Sequence, residues 1–399
     1  MKKSELLAPA GNMDCLKTAL RYGADAVYCG GPLLQLRAEK AGFSRESLEE
    51  AVKYVHGKGK KIYVTVNSFT KNSEIEQLKD YAKFLYSINA DAVIVSDLGA
   101  VKTIKQAESN LPVHISTQAN CCNYASALAY YEMGASRIVL AREMTLDEIG
   151  ELHAKIPEEL ELEAFVHGAM CMAYSGRCLL SSYMNGRSGN RGECTQPCRW
   201  EYYLVEQNRQ NEYLQLEEYG DHSAILSSND MKSIEFLDKL TEAGIDSFKI
   251  EGRMKTEYYV AHVVNAYRHG IDGDVPLELL EKELDAISHR PYNSGFYFGE
   301  LVHNHFNDGL YHYSCTFGGT ALEDAKDGRL KVMQRNYFEI GDTLEILSPD
   351  SLGISFEVTS IINENGEEVQ SACHPQETVY INCPANVKKD DIIRVRCKK

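Results

Sequence analysis

The sequence predicts an α/β fold: a (β/α)8 TIM-like barrel with a cysteine-rich insertion, followed by a small C-terminal β-barrel domain. Three observations carry this. Short apolar, β-branched segments alternate with amphipathic stretches up to residue 168. Four cysteines, Cys171, Cys178, Cys194 and Cys198, then crowd one run where the alternation stops. Beyond about residue 300, strand-like segments follow one another without long helices.

The strands read in order as ELLAPA, DAVYCG, KIYVTVN, AVIVSD, VHISTQ, RIVLAR and LEAFVHG. Between them lie helical patterns such as SRESLEEAVKYVHGKG, SEIEQLKDYAKFLYSINA and TLDEIGELHAKI. Runs of four to eight apolar residues bounded by turn residues are what buried parallel strands require, and the helices supply the right-handed crossovers. Ser44 and Thr145 are placed to cap helices, and Gly23, Gly57, Gly59 and Gly134 to end them. An eighth strand, DSFKIEGRMK, is predicted only after the cysteine run. A helix from about Asn229 to Gly244 precedes it and the helix YYVAHVVNAYRHGI follows it. ILSSND at 225–230 is read as part of the insertion, and SHRPYNSGFYFGE as a linker. The expected domains are 1–168 for barrel strands one to seven and 169–228 for the insertion, then 229–290 for barrel completion and 300–399 for the C-terminal β-barrel.

A length of 399 residues suits one large domain and one smaller one. The N-terminal MKKSELLAPAGNMDC lacks the apolar core of a secretory signal, and no apolar run approaches the roughly 20 residues that span a bilayer. A soluble, cytoplasmic protein with no membrane partner is therefore expected. In a reducing compartment the 12 cysteines read as free thiols and metal ligands rather than disulfides. Cys15, Cys29, Cys121, Cys122, Cys315, Cys373, Cys383 and Cys397 read as small buried hydrophobes. A net charge of −16 argues against a protein that coats nucleic acid, yet the cysteine run itself carries Arg177, Arg187, Arg191 and Arg199 against Glu193.

Chemistry in a parallel barrel gathers where the strands end. Those exits supply Gly30, Asn67, Asp97, Gln118, Asn120, Arg142, His167, Glu251, Gly252 and Arg253. His167 is the candidate acid/base, with a loop-orienting structural histidine as the alternative. Arg142 and Arg253 are candidates for holding a small dicarboxylate, or for pairing with Glu143 or Glu251 instead. Asn67, Gln118 and Asn120 are candidate cofactor-binding groups. The arginines of the run and Lys255, with Trp200, Tyr202 and Tyr203, suit an RNA backbone and a splayed base, or the packing of the insertion on the barrel. His303 and His305 form a pair with no third ligand. There is no HExxH motif and no GxSxG elbow.

Glu163, Phe165, Gly168, Ala169, Met170, Cys171, Gly176, Cys178, Leu180 and Ser181 fit the signature of peptidase family U32, the collagenase-like peptidases. LLAPAGNMDCLKTAL, LRAEKAGFSRESL, NRGECTQPCRWEYYL, FKIEGRMKTEYYVAHVVNAYR and VMQRNYFEIGDTLEIL also resemble family segments, so the similarity runs through almost the whole chain. Within the family the chain is most similar to the branch concerned with tRNA hydroxylation. That resemblance implies an iron-sulfur enzyme forming 5-hydroxyuridine at the tRNA wobble position with prephenate as co-substrate. It also implies a 4Fe-4S cluster on Cys171, Cys178 and Cys194. Some relatives place a further cysteine where this chain has Lys232, so the fourth ligand is either Cys198 or an open iron site. Zinc is the alternative metal. A U32-type peptidase and a non-catalytic RNA-binding or assembly subunit are the alternative functions; oligomeric state is not legible.

Overall fold

The computed structural model describes residues 3–36, 41–171, 173–200, 204–205, 213–214, 229–299, 311–383 and 386–397. Tyr202, Tyr203, His303 and His305 lie outside the described residues, as do residues 225–228 of ILSSND.

The chain forms two compact units by contact: Met1–Leu20, Ala24–Met254 and Arg290–Tyr311 in the first, and Arg21–Gly23, Lys255–His289 and His312–Lys399 in the second. The first unit holds the barrel. Its strands are β1 (Glu5–Ala10), β2 (Ala26–Gly30), β3 (Lys61–Val66), β4 (Ala92–Val95), β5 (Val113–Ile115), β6 (Ala135–Val139) and β7 (Glu161–Ala169). The hairpin β8 (Leu204–Val205) and β9 (Tyr213–Leu214) lies in the insertion; β10 (Asp230–Lys232), β11 (Ser247–Ile250) and β12 (Tyr292–Asn293) follow. Neighbouring strands from β1 to β7 pair in parallel, and β11 pairs in parallel with both β7 and β1, which closes eight strands. All seven strand readings and the eighth are borne out.

The helices between strands are α1 (Met13–Arg21), α2 (Arg45–Gly57), α3 (Ile75–Ser87), α4 (Leu98–Ala107), α5 (Tyr124–Glu132) and α6 (Leu146–His153). The starts of α2, α4, α5 and α6 are set by side-chain caps that satisfy otherwise orphaned N–H groups. Ser44 Oγ accepts from Ser47 N at 3.2 Å, and Thr145 forms a capping box with Glu148. Asp97, one of the strand-exit residues, serves as the α4 cap, accepting from Ala100 N at 2.8 Å.

Three local readings are corrected. Residues 229–236 are not the first turns of a helix: Asp230–Lys232 forms β10, antiparallel to β7, and α8 spans only Leu237–Glu242. The end of ILSSND therefore belongs to this strand rather than to the insertion. Asp230 is held there by buried Arg290, whose Nη2 lies 2.6 Å from its Oδ1. Finally, the expected linker is part of the barrel unit, because β12 pairs with β10 and Tyr297 donates to Phe165 O at 2.6 Å.

The second unit contains α9 (Glu257–Asp272) and α10 (Leu277–Leu284), although the sequence boundaries placed both with the barrel. Its strands are β13 (Cys315–Ala321), β14 (Arg329–Gln334), β15 (Phe338–Glu339), β16 (Thr343–Ser348), β17 (Ser351–Glu357), β18 (Ile361–Asn363), β19 (Ser371–Ala372), β20 (Thr378–Asn382) and β21 (Ile392–Arg396). Seven of them form an antiparallel sheet in the order β17-β16-β21-β13-β14-β20-β18, whose end strands do not pair with each other among the described residues. The expected small β-barrel is thus an antiparallel sheet domain, built around Leu330, Val332, Leu344, Ile346, Val379, Ile381 and Ile393. Among the described residues, no helix is long and apolar enough to cross a membrane.

Candidate active site at the barrel mouth

Charged residues at inward positions of apolar strands build the barrel interior. Glu163, fully buried, accepts from Lys249 Nζ at 2.6 Å and from Arg137 Nη1 at 3.0 Å. Arg137 also reaches Glu5 at 2.7 Å and Glu161 at 2.6 Å. Burial pushes the Lys249 ammonium down while Glu163 pulls it back up, and Lys249 lies 4.4 Å from the Tyr28 ring centroid. His114 is held well below the usual imidazole range by burial and by the Arg137 and Lys249 charges, so it is neutral. The signal for this network was a lone charge inside each apolar strand: Glu5, Arg137, Glu163 and Lys249.

Above the plug, Arg142 follows β6. Its guanidinium stacks 3.8 Å from the Phe165 ring centroid, donates through Nη1 to Ala169 O at 2.8 Å and through Nη2 to Glu251 at 2.9 Å. Its Nε is buried without a partner among the described residues. The Glu251 side chain is about one-third exposed, at 34%. This leaves the Glu251 carboxylate partly exposed and one buried guanidinium N–H without a partner among the described residues. Of the two acidic neighbours weighed for Arg142, it pairs with Glu251.

Arg253 is placed differently. Buried, it donates to Gln35 Oε1 at 3.0 Å, to Thr65 Oγ1 at 2.7 Å and to Leu36 O. It braces the loop after β2. His167 is 2% exposed, its ring 5.5 Å from Tyr292, at the register position opposite Lys232. Tyr28 donates to Ile250 O at 2.9 Å, and burial together with the Glu251 charge keeps its hydroxyl protonated. Asn67 lies at the β3 exit, its Oδ1 3.5 Å from Leu36 N and its carbonyl accepting from Ser96 Oγ.

The cysteine segment is fastened across this mouth. Asn120, in the left-handed conformation after β5, donates to Ser175 O at 3.0 Å and accepts from Arg177 Nε at 2.8 Å. Gly176, at φ +77°, lies against Gln118, where a Cβ would meet Gln118 Cβ at 3.3 Å. Arg191 reaches the β3 side, with Nη2 2.6 Å from Glu74 and Nη1 2.6 Å from Phe69 O. Gln118, Asn120, Arg177 and Arg191 thus anchor the segment; the last two were read as candidate RNA contacts. Trp200 is 41% exposed.

Cys171 and Cys178 are exposed, Cys194 and Cys198 half-buried. Leu180 N donates to Cys178 Sγ and Gln196 N to Cys194 Sγ, each at 3.4 Å. Two of the four thiols thus accept a backbone N–H, and four cysteines on one short segment are the donor set of a thiophilic metal or cluster. Among the described residues no three His, Cys, Asp or Glu side chains converge closely enough to enclose an ion. Of the other eight cysteines, Cys15, Cys29, Cys121, Cys315 and Cys383 are buried as expected, whereas Cys373 is exposed because it lies past the short strand β19.

The sequence profile described as peptidase family U32 matches residues 11–307, and that of the family's C-terminal domain matches residues 314–394. The chain belongs to peptidase family U32. Similar U32 proteins include the tRNA hydroxylation protein P1 of Bacillus subtilis, 38% identical over 98% of this chain and 95% of that one. A protein of Porphyromonas gingivalis named collagenase is 34% identical over 75% of this chain and 74% of its own length. The 23S ribosomal RNA 5-hydroxycytidine synthase of Escherichia coli is 37% identical over 67% of this chain and 39% of its own length.

Proposed function

We propose that this U32 protein hydroxylates a pyrimidine base in RNA, its substrate being the wobble uridine of tRNA, converted to 5-hydroxyuridine with prephenate as co-substrate. The observation that carries the reading is the anchoring of the cysteine segment across the barrel mouth through Asn120, Gln118 and Arg191. It supports a site in which the thiols face the polar groups of the strand exits. The hydroxylation names of two of the relatives support the same chemistry.

In this reading Arg142 Nε donates to a carboxylate of the small acid. Glu251 and Ala169 O hold the guanidinium in plane, and Phe165 supports its face. His167 holds a proton at the β7 exit, and the plug of Glu163, Lys249 and Arg137 closes the floor against water. Cys171, Cys178, Cys194 and Cys198 would hold a 4Fe-4S cluster, which supplies redox or Lewis-acid chemistry at the mouth. Zinc is the alternative for the same thiols.

Anaerobic purification with iron and sulfide analysis tests the cluster, and nucleoside analysis of tRNA from a deletion strain tests the substrate. Bound iron and sulfide with loss of 5-hydroxyuridine derivatives is the expected result. Unchanged tRNA nucleosides in a strain without paralogues overturn the assignment, and cleavage of a protein substrate by the same preparation turns the reading toward a peptidase.

A further inference from the structure

Beside the mouth, on the side of β7 away from β11, residues of β10, β12 and α8 border an open hollow of about 500 Å³. That volume falls in the range of small-molecule pockets, roughly 300 to 1,000 Å³. Its walls include Lys232, Lys239, Glu235, Phe236, Tyr292 and Phe298. Two ammonium groups thus face one carboxylate on a chain of net charge −16. Lys232 lies 5.4 Å from the Tyr292 ring centroid and 3.3 Å from Glu235; Lys239 lies 5.1 Å from the centroid of Phe298.

Phe298 is the unusual member. It is 56% exposed, although a phenyl ring at a cavity wall is ordinarily covered. The edge contact with Phe236, centroids 4.9 Å apart at 74°, fixes the ring's orientation. A half-exposed ring at a fixed angle with one lysine ammonium beside it is the pattern that binds single-stranded nucleic acid, the bases stacking and the phosphates pairing with cations.

We propose that this cavity is a docking subsite for a nucleotide flanking the modified base, its phosphate held by Lys232 and Lys239 and its base laid on Phe298. The inference rests on the RNA reading above. Register pairing of Lys232 with His167 sets the subsite next to the β7 exit, where a splayed base enters the mouth.

The test is fluorescence anisotropy of a labelled tRNA anticodon stem-loop with the full chain and its variants, each checked for a native melting curve. Phe298→Ala should weaken binding by at least about fivefold, the loss of one stacked base, while Phe298→Tyr retains affinity. Lys239→Ala should weaken binding and reduce the log-log salt slope by about 0.7, one phosphate contact on a single strand. If the wild type binds the stem-loop and both alanine variants bind it equally well, the subsite is overturned while the RNA reading stands. If the wild type binds no stem-loop, both fall. Loss of prephenate binding in Lys239→Ala with unchanged RNA affinity would assign the cavity to the small acid and overturn the proposal.

Discussion

Arg177 Nε donates to Asn120 Oδ1 at 2.8 Å while the same amide donates from Nδ2 to Ser175 O at 3.0 Å. One side chain at the β5 exit therefore clamps the cysteine segment with both of its ends. Asn120 has φ +56°, so Asn120→Gly keeps the backbone while removing the clamp, together with the weaker 3.3 Å contact of Nδ2 to Thr117 O in its own turn. Each lost hydrogen bond is worth about 1 kcal/mol. Hydrogen exchange of the amides between residues 173 and 185 should accelerate by roughly tenfold in the variant, with little change in melting temperature. Unaltered exchange there would show that other contacts hold the segment.

The barrel plug makes an asymmetric prediction. Glu163 serves two cations, whereas Arg137 also has Glu5 and Glu161. Lys249→Met leaves Glu163 paired with Arg137 and should cost about 1 to 2 kcal/mol. Glu163→Leu leaves Lys249 buried without that carboxylate and should cost about 3 to 5 kcal/mol. Burial already lowers the Lys249 ammonium relative to the unfolded chain, and without Glu163 it falls further. The unfolded state then binds the extra proton, so the stability of Glu163→Leu should rise between about pH 7 and 9 more steeply than that of the wild type. Urea denaturation at the two pH values measures both effects.

A second buried group gives an acid-side prediction. Glu283 accepts from Arg394 Nη1 at 2.5 Å, lies 2.9 Å from His262 and is held down at about 2, where burial, which alone would raise it, is outweighed by His262 and Arg394. A carboxyl lowered on folding contributes stability that is fully present above its unfolded value of 4.5 and is lost as pH falls toward 2. The contribution is on the order of 3 kcal/mol. Melting curves of the wild type should fall steeply from pH 5 to 3; Glu283→Gln should start lower and fall less over that interval. Parallel curves for the two proteins would place the acid sensitivity elsewhere.

The barrel was legible because each parallel strand is a short apolar run bounded by Gly, Asn or Asp, a pattern that local residues settle on their own. β10 and β12 were missed for the opposite reason. Two or three residues each, they are held by the pairing of β10 with β7, of β12 with β10, and by the Asp230–Arg290 contact, 60 positions apart in the chain. The strand-exit rule placed Arg142, Glu251 and Asn120 at the mouth. It did not foresee that Arg253 turns back into the β2 loop, since its partners Gln35 and Thr65 are non-local. The cysteines were visible from spacing, whereas the anchoring role of Arg177 and Arg191 required Asn120 and Glu74 to be placed opposite them.

The cysteines make the last prediction, and its discriminating member is Cys198. Cys178 and Cys194 each accept a backbone N–H within their own turn, a contact that orients the sulfur. Cys198 follows Pro197 in the last 3-10 turn of the segment and is half-buried. If a cluster assembles on the segment, serine at Cys171, Cys178 or Cys194 should abolish iron and sulfide retention in anaerobic preparations. Cys198→Ser separates the two ligation schemes. Loss of iron to the same degree makes Cys198 the fourth ligand. Full iron content with a shifted visible and electron paramagnetic resonance spectrum on adding a carboxylic acid identifies an open iron instead. Retention of zinc rather than iron, lost equally in all four variants, would replace the cluster with a closed four-thiolate site and remove any redox role from the segment.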